Sequence, residues 1–127
     1  MKELSLVLSL CLLFALGATT NVQASNDIQK VVVLAKKKTV KFKVYGNCGM
    51  CKNTIENALK GVKGISWSTW NTETKMITVR YNPKKIKLED IHKKIAAVGY
   101  DTEKAKAKDE VYNNLHGCCQ YDRPTKK

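Results

Sequence analysis

The chain predicts an α+β fold: a four-stranded antiparallel sheet with two helices packed on one of its faces. Two observations predict it. Apolar residues alternate with polar ones in separate short stretches, the period of a strand with one buried face. Between these stretches lie two segments in which apolar residues recur every three or four positions, the period of an amphipathic helix.

The elements follow from Thr39 onward. Val40, Phe42 and Val44 alternate with Lys41, Lys43 and Tyr45 and predict a first strand. Gly46-Asn47-Cys48-Gly49 breaks it as a loop. Cys51, Ile55, Leu59 and Val62, with Ala58 beside them, form the stripe of a first helix that ends at Gly61 or Gly64. Ile65 to Trp70 reads as a second strand, in which Trp67 and Trp70 have opposite parity, so one faces the core and the other does not. Asn71-Thr72-Glu73-Thr74 is turn-like, and Ile77, Val79 and Tyr81 alternate with Met76, Thr78 and Arg80 in a third strand that closes a hairpin and stops at Asn82-Pro83. Leu88, Ile91, Ile95 and Val98 mark a second helix ended by Gly99, with His92 off the stripe on its solvated side. Thr102 to Lys108, where Ala105 and Ala107 alternate with lysines, is expected as a weak fourth strand at an edge. The order strand, helix, strand, strand, helix, strand is the split βαβ, or ferredoxin-like, arrangement.

The flanks divide the rest of the chain. Lys2, the apolar run Leu4 to Gly17, and Val22-Gln23-Ala24 before polar Ser25 have the order of a secretory signal peptide over residues 1–24. The run is too short to cross a bilayer comfortably, so no stable membrane insertion is expected after cleavage. Cys11 lies inside the apolar run and is lost with it. Residues 25–38 form a flexible N-terminal segment, residues 39–108 the domain, and residues 109–127 a polar tail that carries His116, Cys118 and Cys119. A periplasmic or secreted location follows, and it leaves Cys48, Cys51, Cys118 and Cys119 where disulfides form; four cysteines allow three pairings.

Charge narrows the partners. Lys and Arg number 23 against 11 Asp and Glu, a net +12. That balance fits an acidic partner, an anionic surface or nucleic acid, or simply a lysine-solvated surface. Export and the lack of aromatic stacking positions on the strands argue against nucleic acid.

Cys48-Gly49-Met50-Cys51 carries the chemistry. It opens the first helix, where free backbone N–H groups and the positive end of the dipole favour thiolate. Two thiolates three residues apart are soft ligands for Cu(I), Hg(II) or Zn(II), and Gly46 and Gly49 allow the loop to bend around an ion. A disulfide is the structural alternative for the same spacing. A second candidate site is His116 with Cys118 and Cys119, three soft or borderline ligands in four residues; these cysteines also have the option of pairing with Cys48 and Cys51.

A CxxC in the first strand-to-helix loop of a split βαβ unit resembles the heavy-metal-associated domain, the family of copper chaperones, of metal-binding modules of copper-transporting ATPases and of the periplasmic mercuric-ion-binding protein. The resemblance covers Thr39 to Lys108. It implies that Cys48 and Cys51 bind the metal and that Tyr100, in Gly99-Tyr100-Asp101, is the aromatic packed near the metal loop. The family's Gly-Met pair before the first cysteine is replaced by Gly46-Asn47, and Met50 between the cysteines is expected to plug the core in place of the missing methionine, with a thioether ligand as its other reading.

The expected function is therefore soft-metal binding and transfer rather than catalysis, with Cu(I) first and Hg(II) or Zn(II) behind it. The expected partner is an acidic metal-transporting or metal-accepting domain, which Lys52, Lys60 and Lys63 would steer. The alternatives are a periplasmic mercuric-ion carrier and a thiol–disulfide oxidoreductase. Against the latter, no Trp precedes Cys48, and neither Pro83 nor Pro124 lies before a strand where a cis-proline would face the motif.

Overall fold

The structure, a computed structural model, describes residues 36–125. The expected signal peptide and most of the N-terminal segment lie outside the described residues. Among the described residues, no helix is long and apolar enough to cross a membrane.

Strands β1 (Lys38–Lys43), β2 (Ile65–Trp70) and β3 (Met76–Tyr81) form an antiparallel sheet in the order β1-β3-β2. The register places Phe42 and Trp70 on either side of Ile77, and Val40 beside Val79. These residues form the inward row that the alternation predicts. Helix α1 (Gly49–Leu59) buries Cys51, Ile55 and Leu59, and helix α2 (Leu88–Ala97) buries Ile91 and Ile95. Both helices share one core with Phe42, Trp70, Ile77 and Val79, so both cover the same face of the sheet. The parity argument for the tryptophans holds: Trp70 is 1% exposed and Trp67 45%.

In the second half of the domain the structure departs from the sequence reading at the expected fourth strand and at His92. The expected fourth strand over Thr102 to Lys108 does not form. It is reduced to a single bridge between Val44 and Thr102, beside a bond from the Tyr45 N–H to the Asp101 carbonyl at 2.9 Å. Local side chains take the donors that a ladder would need. Thr102 Oγ1 accepts the N–H groups of Lys104 and Ala105, and Asp101 Oδ1 accepts that of Ala107 at 2.7 Å. The segment turns back instead of extending. His92, expected on the solvated side of its helix, is 1% exposed. Its ring packs on Phe42 at 3.9 Å between centroids, and Nδ1 shares a 2.7 Å hydrogen bond with Thr102 Oγ1. The same turn that removes the fourth strand thus supplies His92 with its cover and its partner.

The segment beyond Asp109 returns to the domain. It forms a short helix α3 (Asp109–Asn113) and a 3-10 turn (Gly117–Cys119), and it places Cys119 and Tyr121 in the same core as α1 and α2.

Candidate metal centre

Cys48 is the cap residue of α1, with extended backbone, and Cys51 lies one turn into the helix. Trp70 positions the loop before them. Its indole N–H donates to the Val44 carbonyl at 3.1 Å, and its ring lies so close to Gly46 that a Cβ there would sit 3.1 Å from the ring and 3.3 Å from the Cys51 Cβ. Only glycine fits without displacing one of them. Helix α1 grips the same tryptophan: Glu56 accepts the Trp70 N–H at 2.8 Å, and Lys52 donates to the Trp70 carbonyl at 2.7 Å. Trp70 therefore fills the space under the loop. Contrary to the expectation from the sequence, Met50 does not plug the core; it is 47% exposed, because the indole already occupies that volume.

The Sγ atoms of Cys48 and Cys51 are 3.6 Å apart, and both cysteines are free thiols. The Asn47 N–H donates to Cys51 Sγ at 3.3 Å. The backbone N–H of Cys51 chiefly, with the Cys51 thiol and the Met50 N–H, lowers the Cys48 thiol from 9.0 to about 7. Near neutrality this thiol is thus substantially ionised, as a helix N-terminus favours. Tyr100 is fully buried beside Cys51 and Cys119, its hydroxyl has no hydrogen-bond partner among the described residues, and burial pushes its ionisation well above the ordinary range. It is the aromatic neighbour that the Gly99-Tyr100-Asp101 motif implied.

Cys118 and Cys119 lie beside the Cys48–Cys51 pair. Cys119 Sγ lies 3.9 Å from Cys48 Sγ and 3.9 Å from Cys118 Sγ. The sulfurs of Cys48, Cys118 and Cys119 all lie within 4.8 Å of one another. Burial and the Cys51 thiol raise the Cys119 thiol to about 12, so without an ion it stays protonated. His116 is not part of this group: it is exposed, and it contributes its carbonyl to the Cys119 N–H at 2.7 Å. Of the lysines expected around the loop, Lys52 is turned inward onto Glu56 and Trp70. Lys75, in the hairpin, instead reaches the Asn47 carbonyl at 3.3 Å.

Comparison with known proteins places this geometry. Residues 47–101 match the profile of the heavy-metal-associated domain. The copper chaperone CopZ of Staphylococcus epidermidis is 34% identical over 63 residues, which span 49% of this chain and 93% of the chaperone. The chain belongs to the heavy-metal-associated domain family. A copper-exporting P-type ATPase of Staphylococcus saprophyticus is 31% identical over 83 residues, 65% of this chain but only 10% of the ATPase. The crystal structure of oxidised MerP from Ralstonia metallidurans superposes with a TM-score of 0.51 at 28% identity, covering 54% of this chain and 96% of MerP.

The profile match ends at Asp101. Within this heavy-metal-associated domain, three features that sequence reasoning missed join the loop and its surroundings to the C-terminal segment. Asn47, in the place of the family's methionine, donates its side-chain amide to the Gln120 carbonyl at 3.2 Å and to that of Cys118 at 3.5 Å. Arg123 forms a two-pronged pair with Asp101, both bonds 2.7 Å. Tyr121 donates its hydroxyl to the Gly99 carbonyl at 2.9 Å. The one local signal was the pair of altered positions, an Asn at the loop and two cysteines in the tail, whose spatial meaning required the fold.

Proposed function

We propose that this protein binds a soft metal ion, Cu(I) foremost, through the thiolates of Cys48 and Cys51 and passes it to an acceptor by ligand exchange. The observation that carries this reading is the pair of sulfurs 3.6 Å apart at the start of α1, one of them with its ionisation lowered to about 7. Incoming thiolates attack the ion while Cys48 and Cys51 leave, and no electrons change hands. Softness favours Cu(I) and Hg(II) over harder ions. The copper chaperone and copper-exporting ATPase relatives favour copper. A binding module rather than an enzyme fits a site built of thiols alone.

The proposed acceptor is an acidic metal-accepting domain, supported by the net +12 charge and by Lys75 at the loop. The proposed location is outside the cytoplasm, on the signal-like order of residues 1–24. Anaerobic competition for Cu(I) against a chromophoric chelator tests the binding role. The reduced protein should take one equivalent, and Cys48→Ser with Cys51→Ser should abolish uptake; full affinity in that double variant would place the main site elsewhere.

A further inference from the structure

With Cys48 and Cys51 as metal-binding thiols, as proposed for the loop, we infer that Cys118 and Cys119 complete the same centre, so that this chain surrounds one ion with three or four thiolates drawn from both ends of the fold. The sulfurs of Cys48, Cys118 and Cys119 lie within 4.8 Å of one another although Cys48 is separated from the other two by most of the domain, and Cys51 Sγ lies 3.6 Å from that of Cys48. A metal–thiolate bond of about 2.3 Å puts sulfurs about 3.8 Å apart in a tetrahedron, about 4.0 Å in a trigonal plane and about 4.6 Å across a linear ion. The Cys48–Cys51, Cys48–Cys119 and Cys118–Cys119 separations of 3.6, 3.9 and 3.9 Å match the first two geometries and fall short of the linear one.

The approach is built into the fold. Before the two cysteines, Leu115 packs on Gly99, where a Cβ would meet it at 3.0 Å and where φ is +101°. After them, Tyr121 is buried among Tyr45, Tyr100 and Tyr112, and Arg123 locks onto buried Asp101. Between these anchors Asn47 holds the carbonyls of Cys118 and Gln120 against the metal loop. A polar tail that merely rested on the domain would not need anchors on both sides of its cysteines.

The chemistry balances without a redox partner. Each thiol that joins the ion releases one proton to solvent, and the ion keeps its charge. A centre of this kind accommodates Zn(II), which takes four ligands, as well as Cu(I). It also means that an acceptor must displace Cys118 and Cys119 before it reaches Cys48 and Cys51.

X-ray absorption of the full mature chain loaded anaerobically with one equivalent of Zn(II) or Cu(I) counts the sulfurs directly. Three or four in the wild type is the expected result, and two in Cys118→Ser with Cys119→Ser. Loss of a residue that only supports a ligand already lowers metal affinity about 10–100-fold, so removal of these two ligands should lower Zn(II) affinity more than about 100-fold. Two sulfurs in the wild type would overturn the inference without relying on any variant. So would a tail variant that keeps its circular dichroism melt and its Zn(II) affinity. Should Cys48→Ser with Cys51→Ser retain full binding, the loop reading fails instead, and the two failures are told apart by which pair carries the metal.

Discussion

Replacing Arg123 with alanine leaves the Asp101 carboxylate, whose side chain is 1% exposed, without its cation. The arginine donates two bonds of 2.7 Å to Asp101, one of 2.7 Å to the Ala107 carbonyl and one of 2.6 Å to Asp109, and its guanidinium lies 4.8 Å over the Tyr112 ring. In the variant, Asp101 keeps the Ala107 N–H at 2.7 Å. Removing one partner of a buried pair costs about 3–5 kcal/mol, against about 1 kcal/mol or less for a surface pair. Arg123 is 16% exposed, so water enters from its side and the lower end, about 3 kcal/mol, applies. The Asp109 contact adds little, since that carboxylate is 79% exposed. For a domain of this size, about 3 kcal/mol lowers Tm by roughly 12–24 °C. Thermal unfolding followed by circular dichroism reads the change. Adding Asp101→Asn to Arg123→Ala should restore part of the loss, because the orphaned charge is then gone. A fall in Tm of less than about 4 °C, the shift expected of about 1 kcal/mol, would show that the pair behaves as a surface pair and that the tail is not anchored as described.

Two further outcomes follow from ionisation. Iodoacetamide labelling of the reduced, metal-free protein should modify Cys48 with a midpoint near pH 7 while Cys119, 2% exposed, stays protected; a Cys48 midpoint near 9.0, the ordinary thiol value, would contradict the effect assigned to the start of α1. Burial lowers the His92 ionisation below 6.5, with Lys104 acting in the same direction and Glu103 opposing. The unfolded chain therefore binds this proton more readily than the folded one, so the stability His92 contributes is present above pH 6.5 and is lost as pH falls from there through its folded value. Urea melts across that window should show the loss in the wild type and a flatter profile in His92→Gln; identical profiles would refute the assignment.

The domain was legible because its elements are written in periods. The alternation around Phe42 and Ile77 and the spacing of Ile55 and Leu59 report burial on one side of each element, and a residue's facing depends only on its local geometry. The CxxC was legible for the same reason, since a strand-to-helix junction brings two sulfurs three residues apart to one point. Where the reading failed, a side chain's partner came from a distant part of the chain. His92 lies off its helix's apolar stripe, and only the Thr102 turn decides that it is covered. Met50 occupies the motif's interior, and only the register that brings Trp70 under Gly46 leaves it exposed.

By itself the sequence determined the α+β architecture, the position of both helices and the thiol pair that opens the first of them. Tertiary structure alone decided that Cys119 would stand 3.9 Å from Cys48. No periodicity encodes that distance. It depends on Asn47, Asp101, Tyr121 and Arg123 meeting across the fold, and hydrogen bonds between such distant residues form only once the core has placed their donors and acceptors within reach.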